Sequence, residues 1–405
     1  MSIQLLDKSF WVGKVDDRDV PFHRLVLSKG TTYNSYLIKS GKPTIIDTVD
    51  ISFGKEYRDK LEQEIDLSEI QYIVINHTEP DHSGGLRTLA SKAVNAVIVC
   101  TEPAVYELKE MYKLQNRNFK IVKTGDVLDI GGKTLSFIET PYLHTEETMV
   151  TYCVEDKILY SCDIFSTHIA NENYFNDKES NDILEDYKVY YQLIMHPHRL
   201  YVREMLDKIK DLDIQIIAPS HGYILRENAR QFINIYDEMS KDAITSSKGL
   251  ILYSSMTGNT KVIAGEIKKI YDNNNLEMKI VDVNKTSLND VIEEINSADM
   301  VFFGSSTKYA DLIGDMENVL KELNNLNLNG KTAAAFGSYG WSGEPIEIIQ
   351  DYLTDSLFTT LNTSEIVKTT GMTDVKFPIR IRFSLNEENI ETLNRAVYKT
   401  IDLIT

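Results

Sequence analysis

A chain of 405 residues is too long for one core and predicts two or three domains with the composition of an ordinary soluble protein. With 43 basic and 61 acidic side chains the net charge is −18, which argues against nucleic acid and anionic membrane as partners. Cys100, Cys153 and Cys162 are scattered without a CxxC pair, which argues against a disulfide framework or thiolate metal site; with no signal pattern or bilayer-length apolar run, the expected location is cytoplasmic.

Up to about residue 70 the chain reads as short β-runs, Phe22–Leu27, Ser35–Ile38 and Thr44–Asp47, followed by a helix around Tyr57 to Glu64. The apolar run Gln71–Ile75 then ends abruptly in His77-Thr78-Glu79-Pro80-Asp81-His82-Ser83-Gly84-Gly85. In an extended chain alternate residues point the same way, so His77, Glu79 and Asp81 are expected to face one point. Ala96–Cys100 reads as a buried strand, Glu102–Leu114 as a helix, and Phe119–Val122 with Thr134–Ile138 as a strand pair. This mixture predicts an α+β domain layered αββα.

Three later apolar runs end in the same manner. Thr134–Glu139 leads to His144, Lys157–Cys162 to Asp163, and Asp213–Ser220 to His221. Strands of one sheet region can deliver such ends to a common edge. Residues 183–210 and 225–242 show helical spacing, and the small polar run Lys241–Lys248 reads as a linker between domains 1–245 and 249–405. From Gly249 the rhythm becomes strand, loop, helix, with strands at Leu250–Tyr253, Met278–Val283, Met300–Gly304 and Thr332–Phe336. That alternation predicts a doubly wound parallel sheet of the α/β class.

His77, Glu79, Asp81, His82, His144, Asp163 and His221 form the candidate metal set. Four imidazoles and three carboxylates exceed what one ion needs, so two ions are expected. Asp163, alone at its strand end, is the bridging candidate. Mixed imidazole and carboxylate ligands suit iron, manganese or zinc.

In the second domain, Ser255-Met256-Thr257-Gly258-Asn259-Thr260 follows a strand and opens a helix, a setting suited to a terminal phosphate. Neither a Walker lysine nor GxGxxG is present, which disfavours nucleoside triphosphates and dinucleotides. The stretch resembles the phosphate loop of flavodoxins, which bind FMN. Ser306-Thr307-Lys308-Tyr309 and Ser338-Tyr339-Gly340-Trp341-Ser342-Gly343 stand after the third and fourth strands. Glycines there admit a flavin ring closely, and Tyr339 or Trp341 could stack on it or flank it.

The run His77 to Gly85 resembles the signature of the metallo-β-lactamase superfamily, with Glu79 where its zinc hydrolases usually carry a second histidine. Together with His144, Asp163, His221 and the flavodoxin-like second domain, the whole chain resembles the flavodiiron proteins. The resemblance implies reduction of dioxygen to water, of nitric oxide to nitrous oxide, or both, with FMN and two non-haem iron ions as cofactors. It places His77, Glu79 and His144 on one iron, Asp81, His82 and His221 on the other, and Asp163 between them. It also implies a head-to-tail homodimer and, since no rubredoxin-like CxxC pair follows, a separate donor such as a rubredoxin or a flavin reductase.

Two departures stand out. Thr145-Glu146-Glu147-Thr148 occupies a place where the family often shows Trp-Pro-Asp-Ser, and Ser306 replaces a usual proline. His23 resembles a family position near the iron pocket, where supporting a ligand through a hydrogen bond and a merely structural role are both open. Tyr190 and Tyr191 resemble a pair of which one, with Tyr191 the candidate, can reach that pocket. His168, His196 and His198 read as surface or structural residues. The alternatives to weigh are a zinc hydrolase of the same superfamily and a flavodoxin-like electron-transfer protein.

Overall fold

Alternation along four adjacent strands builds the first unit. Tyr36, Ile38, Ile46, Val74 and Val99 point to one side of their sheet, whereas Leu37, Ile45, Ile73, Ile98 and Cys100 point to the other. A period of two buries both faces, each apolar side chain contributing roughly 1.5–3 kcal/mol when fully buried. The computed structural model describes residues 2–22, 25–27, 29–179, 183–241, 247–370 and 372–404, and it separates into units Met1–Lys241 and Asp242–Thr405. Most of the predicted linker lies outside the described residues.

Among the described residues, a seven-stranded sheet runs in the order Ile3–Leu6, Ser9–Trp11, Tyr36–Ile38, Thr44–Ile46, Tyr72–Val74, Val97–Cys100 and Phe119–Ile121. A five-stranded sheet follows in chain order: Val127–Asp129, Thr134–Glu139, Met149–Cys153, Ile158–Cys162 and Ile216–Pro219. Leu135, Phe137, Met149, Ile158 and Tyr160 meet the first sheet in the central core. Ile138, Val150, Leu159 and Ile217 face the helices Arg199–Ile209 and Ala229–Ser240 on the far side. Helices Gly54–Leu61 and Glu102–Tyr112 cover the outer face of the first sheet. The layers are αββα, as the mixed pattern predicts.

Three expectations are corrected. Phe119–Ile121 does not pair with Thr134–Glu139; it adds in parallel to Val97–Cys100 in the other sheet. Phe22–Leu27 is not one strand but parts of two, Val20–Phe22 and Leu25–Leu27, paired antiparallel. The helical stretch 183–210 is broken into Leu184–Tyr190, a π-helical turn Tyr191–Met195, a 3-10 turn His196–His198 and Arg199–Ile209. Pro197 explains part of this break, because it lacks the N–H that a continuous helix requires.

In the second unit the strands Glu277–Asp282, Lys248–Ser254, Met300–Ser306 and Thr332–Tyr339 lie side by side in that order, all parallel. Thr359–Thr360 and Ile379–Arg382 continue the parallel pairing beyond Thr332–Tyr339. This is the 2-1-3-4-5 order of a doubly wound sheet, whose switch point lies between the first and third strands. Helix Asn259–Asn273 buries Ile263, Ala264, Ile267 and Tyr271. Leu288–Ser297, Met316–Glu322 and Glu344–Thr354 bury theirs in another cluster.

Candidate functional site

Strand direction explains why the candidate ligands meet. Thr134–Glu139 is antiparallel to Met149–Cys153, which is antiparallel to Ile158–Cys162, which is parallel to Ile216–Pro219. The strands preceding His144, Asp163 and His221 therefore run the same way and end at one edge. Tyr72–Val74 brings His77 and Glu79 to that edge from the other sheet, so two sheets rather than one sheet region supply the set. Asn76 joins the sheets there: its carbonyl accepts from Met149 N at 3.0 Å and its side-chain oxygen from the Thr151 hydroxyl at 2.7 Å.

The four ligand candidates of the His77–His82 run do not face one point. Pro80 opens a helical turn, Pro80–Ser83, which carries Asp81 and His82 away from the extended segment before it. His77, Glu79, His144 and Asp163 form one group, and Asp81, His82 and His221 form another. Asp163 serves both. Its Oδ2 stands 3.7 Å from His77 Nε2 and 3.3 Å from His144 Nε2. Its Oδ1 stands 3.3 Å from both His82 Nε2 and His221 Nε2. Glu79 Oε2 closes the first group at 3.4 and 3.5 Å from His77 and His144. Asp81 Oδ2 closes the second at 3.5 Å from His82 and His221. Two ligand atoms each about 2.1 Å from an ion lie about 3 Å apart or slightly more, so this spacing fits a shared centre for each group.

The far sides of the rings are engaged as well. His221 Nδ1 lies 2.6 Å from the Thr32 carbonyl, and His77 Nδ1 lies 2.6 Å from Glu147 Oε1. A carbonyl can only accept, so His221 carries its proton on Nδ1 and, when neutral, presents a lone pair at Nε2. His77 Nε2 and His82 Nε2 are buried and make no hydrogen bond. Cys162, at a φ of 53°, turns the chain into Asp163, and its sulfur stands 3.6 Å from His82 Nδ1. Burial pushes that thiol well above its ordinary range, so it backs the ring as a neutral group.

Burial would raise all three carboxyls of the set. Against it, the His82 ring holds Asp81 and Asp163 below the usual range, and His144 and His77 do the same for Glu79. Burial likewise opposes charge on the imidazoles, yet the neighbouring carboxylates push His144 up to about 9 and His221 up to about 10. A buried anionic cluster of this kind needs cations. Protons fill the role in a metal-free chain, and metal ions displace them on binding. The residues fit a pair of ions.

The surroundings differ from expectation. His168 is not a surface residue: its ring packs 4.8 Å from that of His221, and Nδ1 lies 2.9 Å from the Thr31 hydroxyl. His198 is buried, its ring 6.4 Å from that of His144. Tyr190 packs on His168, and burial followed by the Asp163 charge pushes its hydroxyl well above its ordinary range. Tyr191 instead packs between Tyr236 and His196, since neighbours on a helix point about 100° apart. Tyr190 is thus the member of the pair beside the ligand set. His23 lies outside the described residues. Glu147 has no role in the sequence reading beyond its place in the departing run Thr145–Thr148, where it follows Glu146 just before a fully buried strand.

In the second unit the three loops converge on Thr260. Its hydroxyl stands 2.9 Å from that of Ser306 and 2.8 Å from that of Ser338. Ser306 Oγ also accepts from Met256 N at 3.3 Å, so the serine in place of a proline ties the first loop to the second. Gly258, at a φ of 91°, precedes the helix, and its N–H donates to the Ser255 hydroxyl at 3.1 Å. Ser338 and Tyr339 are strand residues rather than loop, because Ser306 and Ser338 remain in register. Tyr309 is 92% and Trp341 93% exposed, so neither ring is packed in the core. Thr257, Asn259, Thr307, Lys308, Gly340, Ser342 and Gly343 lie in or beside the same strand ends.

An αββα unit with a two-group ligand cluster, followed by a flavin-binding flavodoxin-like unit, defines a metal-dependent flavoprotein oxidoreductase. A family model described as ODP family beta lactamase matches residues 31–222, and a flavodoxin model matches 251–377. The chain is 38% identical over 372 residues to the anaerobic nitric oxide reductase flavorubredoxin of Vibrio vulnificus (strain YJ016), spanning 89% of this chain and 74% of that protein. It is similar to the flavodiiron protein from Giardia intestinalis, with a TM-score of 0.59, 28% identity and coverage of 100% and 97%. It is also similar to the rubredoxin oxygen:oxidoreductase of Desulfovibrio gigas, at 0.59, 25% and full coverage of both. The chain belongs to the flavodiiron protein family.

Proposed function

We propose that this oxidoreductase reduces dioxygen to water, nitric oxide to nitrous oxide, or both, using two iron ions in the first unit and FMN in the second. The observation that carries this reading is Asp163, whose two carboxylate oxygens face separate ligand groups. His77, Glu79 and His144 would hold one iron, Asp81, His82 and His221 the other, and Asp163 would bridge them. The irons and the flavin would together supply the electron storage that full reduction of the gas requires. Anionic oxygen ligands favour the ferric state, and Glu79 in place of a third imidazole adds one such ligand to its group. His168 packs on the His221 ring of the second group, and Tyr190 packs on His168. The phosphate of FMN would meet the backbone N–H groups of residues 255–260, with Tyr309 and Trp341 free to flank the ring.

The reductant in this reading is a separate protein, a rubredoxin or a flavin reductase, and the working unit is a head-to-tail homodimer. The place of action in this reading is the cytoplasm; among the described residues no helix is long and apolar enough to cross a membrane. Metal and flavin analysis with anaerobic stopped-flow tests the reading. Two irons and one FMN per chain, with flavin reoxidised by O2 or NO, are expected. Zinc without redox turnover, or flavin turnover without metal, would sink it.

A further inference from the structure

The two ligand groups are matched in what they offer an ion: two imidazole nitrogens, one carboxylate oxygen of their own and one oxygen of Asp163. Their outer partners are not matched. His77 Nδ1 faces the Glu147 carboxylate at 2.6 Å, and both side chains are buried. His221 Nδ1 faces the neutral Thr32 carbonyl at 2.6 Å. His82 Nδ1 faces the Cys162 sulfur at 3.6 Å, a weak partner. Glu147 is fixed from both ends. Its Oε1 accepts from Thr78 N at 3.1 Å and stands 2.9 Å from the Thr78 hydroxyl, which Glu107 shares, and its backbone carbonyl accepts from the Thr101 hydroxyl at 2.7 Å.

We propose that Glu147 is a positioning residue that makes the two metal positions unequal, so that the ion held by His77, Glu79 and His144 is bound more firmly than its neighbour. This rests on the reading of the cluster as a two-iron site. A carboxylate that accepts the Nδ1 proton draws it away from the ring and makes Nε2 a stronger donor, and it adds negative charge to one side only. A neutral carbonyl and a thiol do less. The same charge favours the higher oxidation state at the His77 position. The Thr145 hydroxyl, 3.2 Å from His77 Nδ1, gives the ring a second, neutral anchor. Removing the Glu147 charge therefore weakens donation without freeing the ring.

The experiment follows iron(II) leaving the anaerobically reduced holoprotein into a chromophoric chelator. Wild-type protein is expected to release its two ions in two phases of equal amplitude. In Glu147→Gln the slower phase should accelerate about ten- to a hundredfold while the faster one is unchanged. Glu147→Asp, which keeps the charge, should release that ion more slowly than Glu147→Gln does. Both phases unchanged, or both accelerated alike, would overturn the proposal. Flavin content and a cooperative melt establish that each variant is folded. Should Glu147→Gln not fold, Glu147→Asp decides alone: acceleration confined to the slower phase supports unequal positions, and any other pattern overturns them. Wild-type protein that holds fewer than two irons fails at the earlier step and removes the two-iron reading itself.

Discussion

His221 Nδ1 and the carbonyl oxygen of Thr32 stand 2.6 Å apart although 189 positions separate them in the chain. The contact sets the tautomer of a ligand candidate, and the backbone around it is held tightly. Gly222 has a φ of +75°, its N–H donates to the Thr32 hydroxyl at 2.7 Å, and an added Cβ would meet Thr167 Oγ1 at 1.9 Å. Gly222→Ala should therefore cost about 1–3 kcal/mol of stability through backbone strain, with further loss from the clash. Urea unfolding of the metal-free protein measures the first effect. Metal content should fall as well, because His221 moves with its neighbour.

Asp163 and Glu79 should differ in kind when removed. Asp163→Ala takes an oxygen from each ligand group and should abolish binding of both ions. Glu79→Ala takes one from a single group and should lower the content by about one ion or less. Both variants should keep their flavin, whose loops belong to the other unit. Metal analysis beside flavin absorbance separates the cases, and identical metal loss in the two variants would contradict a bridging role for Asp163.

Much of this site is visible in the chain because strand ends are. Apolar β-branched runs stop at His77, Asp163 and His221; strand direction carries Asp163 and His221 to one edge, and the junction of the two sheets at Asn76 brings His77 there. What the sequence hides is the division of the ligands. Only the turn begun by Pro80 decides that Asp81 leaves the side of His77 and Glu79. Glu147 is hidden for another reason: its meaning comes from His77, 70 positions earlier, and no local pattern marks that meeting. Phe119–Ile121 reads as a partner of Thr134–Ile138 because a short strand fits either sheet, and only the connection through helix Glu102–Tyr112 places it in parallel beside Val97–Cys100.

Thr260 should control flavin retention. Its hydroxyl joins Ser306 and Ser338, the ends of two strands, to the loop that opens helix Asn259–Asn273. Thr260→Val keeps the shape and removes both hydrogen bonds, each worth about 0.5–1.5 kcal/mol. Flavin affinity should fall by about tenfold, corresponding to about 1.4 kcal/mol, with metal content unchanged. Titration of the flavin-free protein with FMN, followed by quenching of flavin fluorescence, measures it; an unaltered affinity would mean that the three loops are held together by other contacts.

Lys60 gives the first unit a pH dependence that is independent of the ligand set. Its ammonium donates to the Gly13 carbonyl at 2.8 Å and sits 4.2 Å from the centre of the Trp11 ring, both of which favour the charged form. Burial outweighs them and lowers its pKa from 10.5 to about 8. Between those values the unfolded chain keeps the proton that the folded chain has released. More protons are then bound in the unfolded state, so stability rises with pH across that window, and below about 8 the contribution is flat. Lys60→Met removes the titration. Urea midpoints of the two metal-free proteins, compared from pH 7 to pH 10, should show the wild type gaining on the variant only above about pH 8. A difference that stays constant or reverses would place the Lys60 charge in water and not against Trp11.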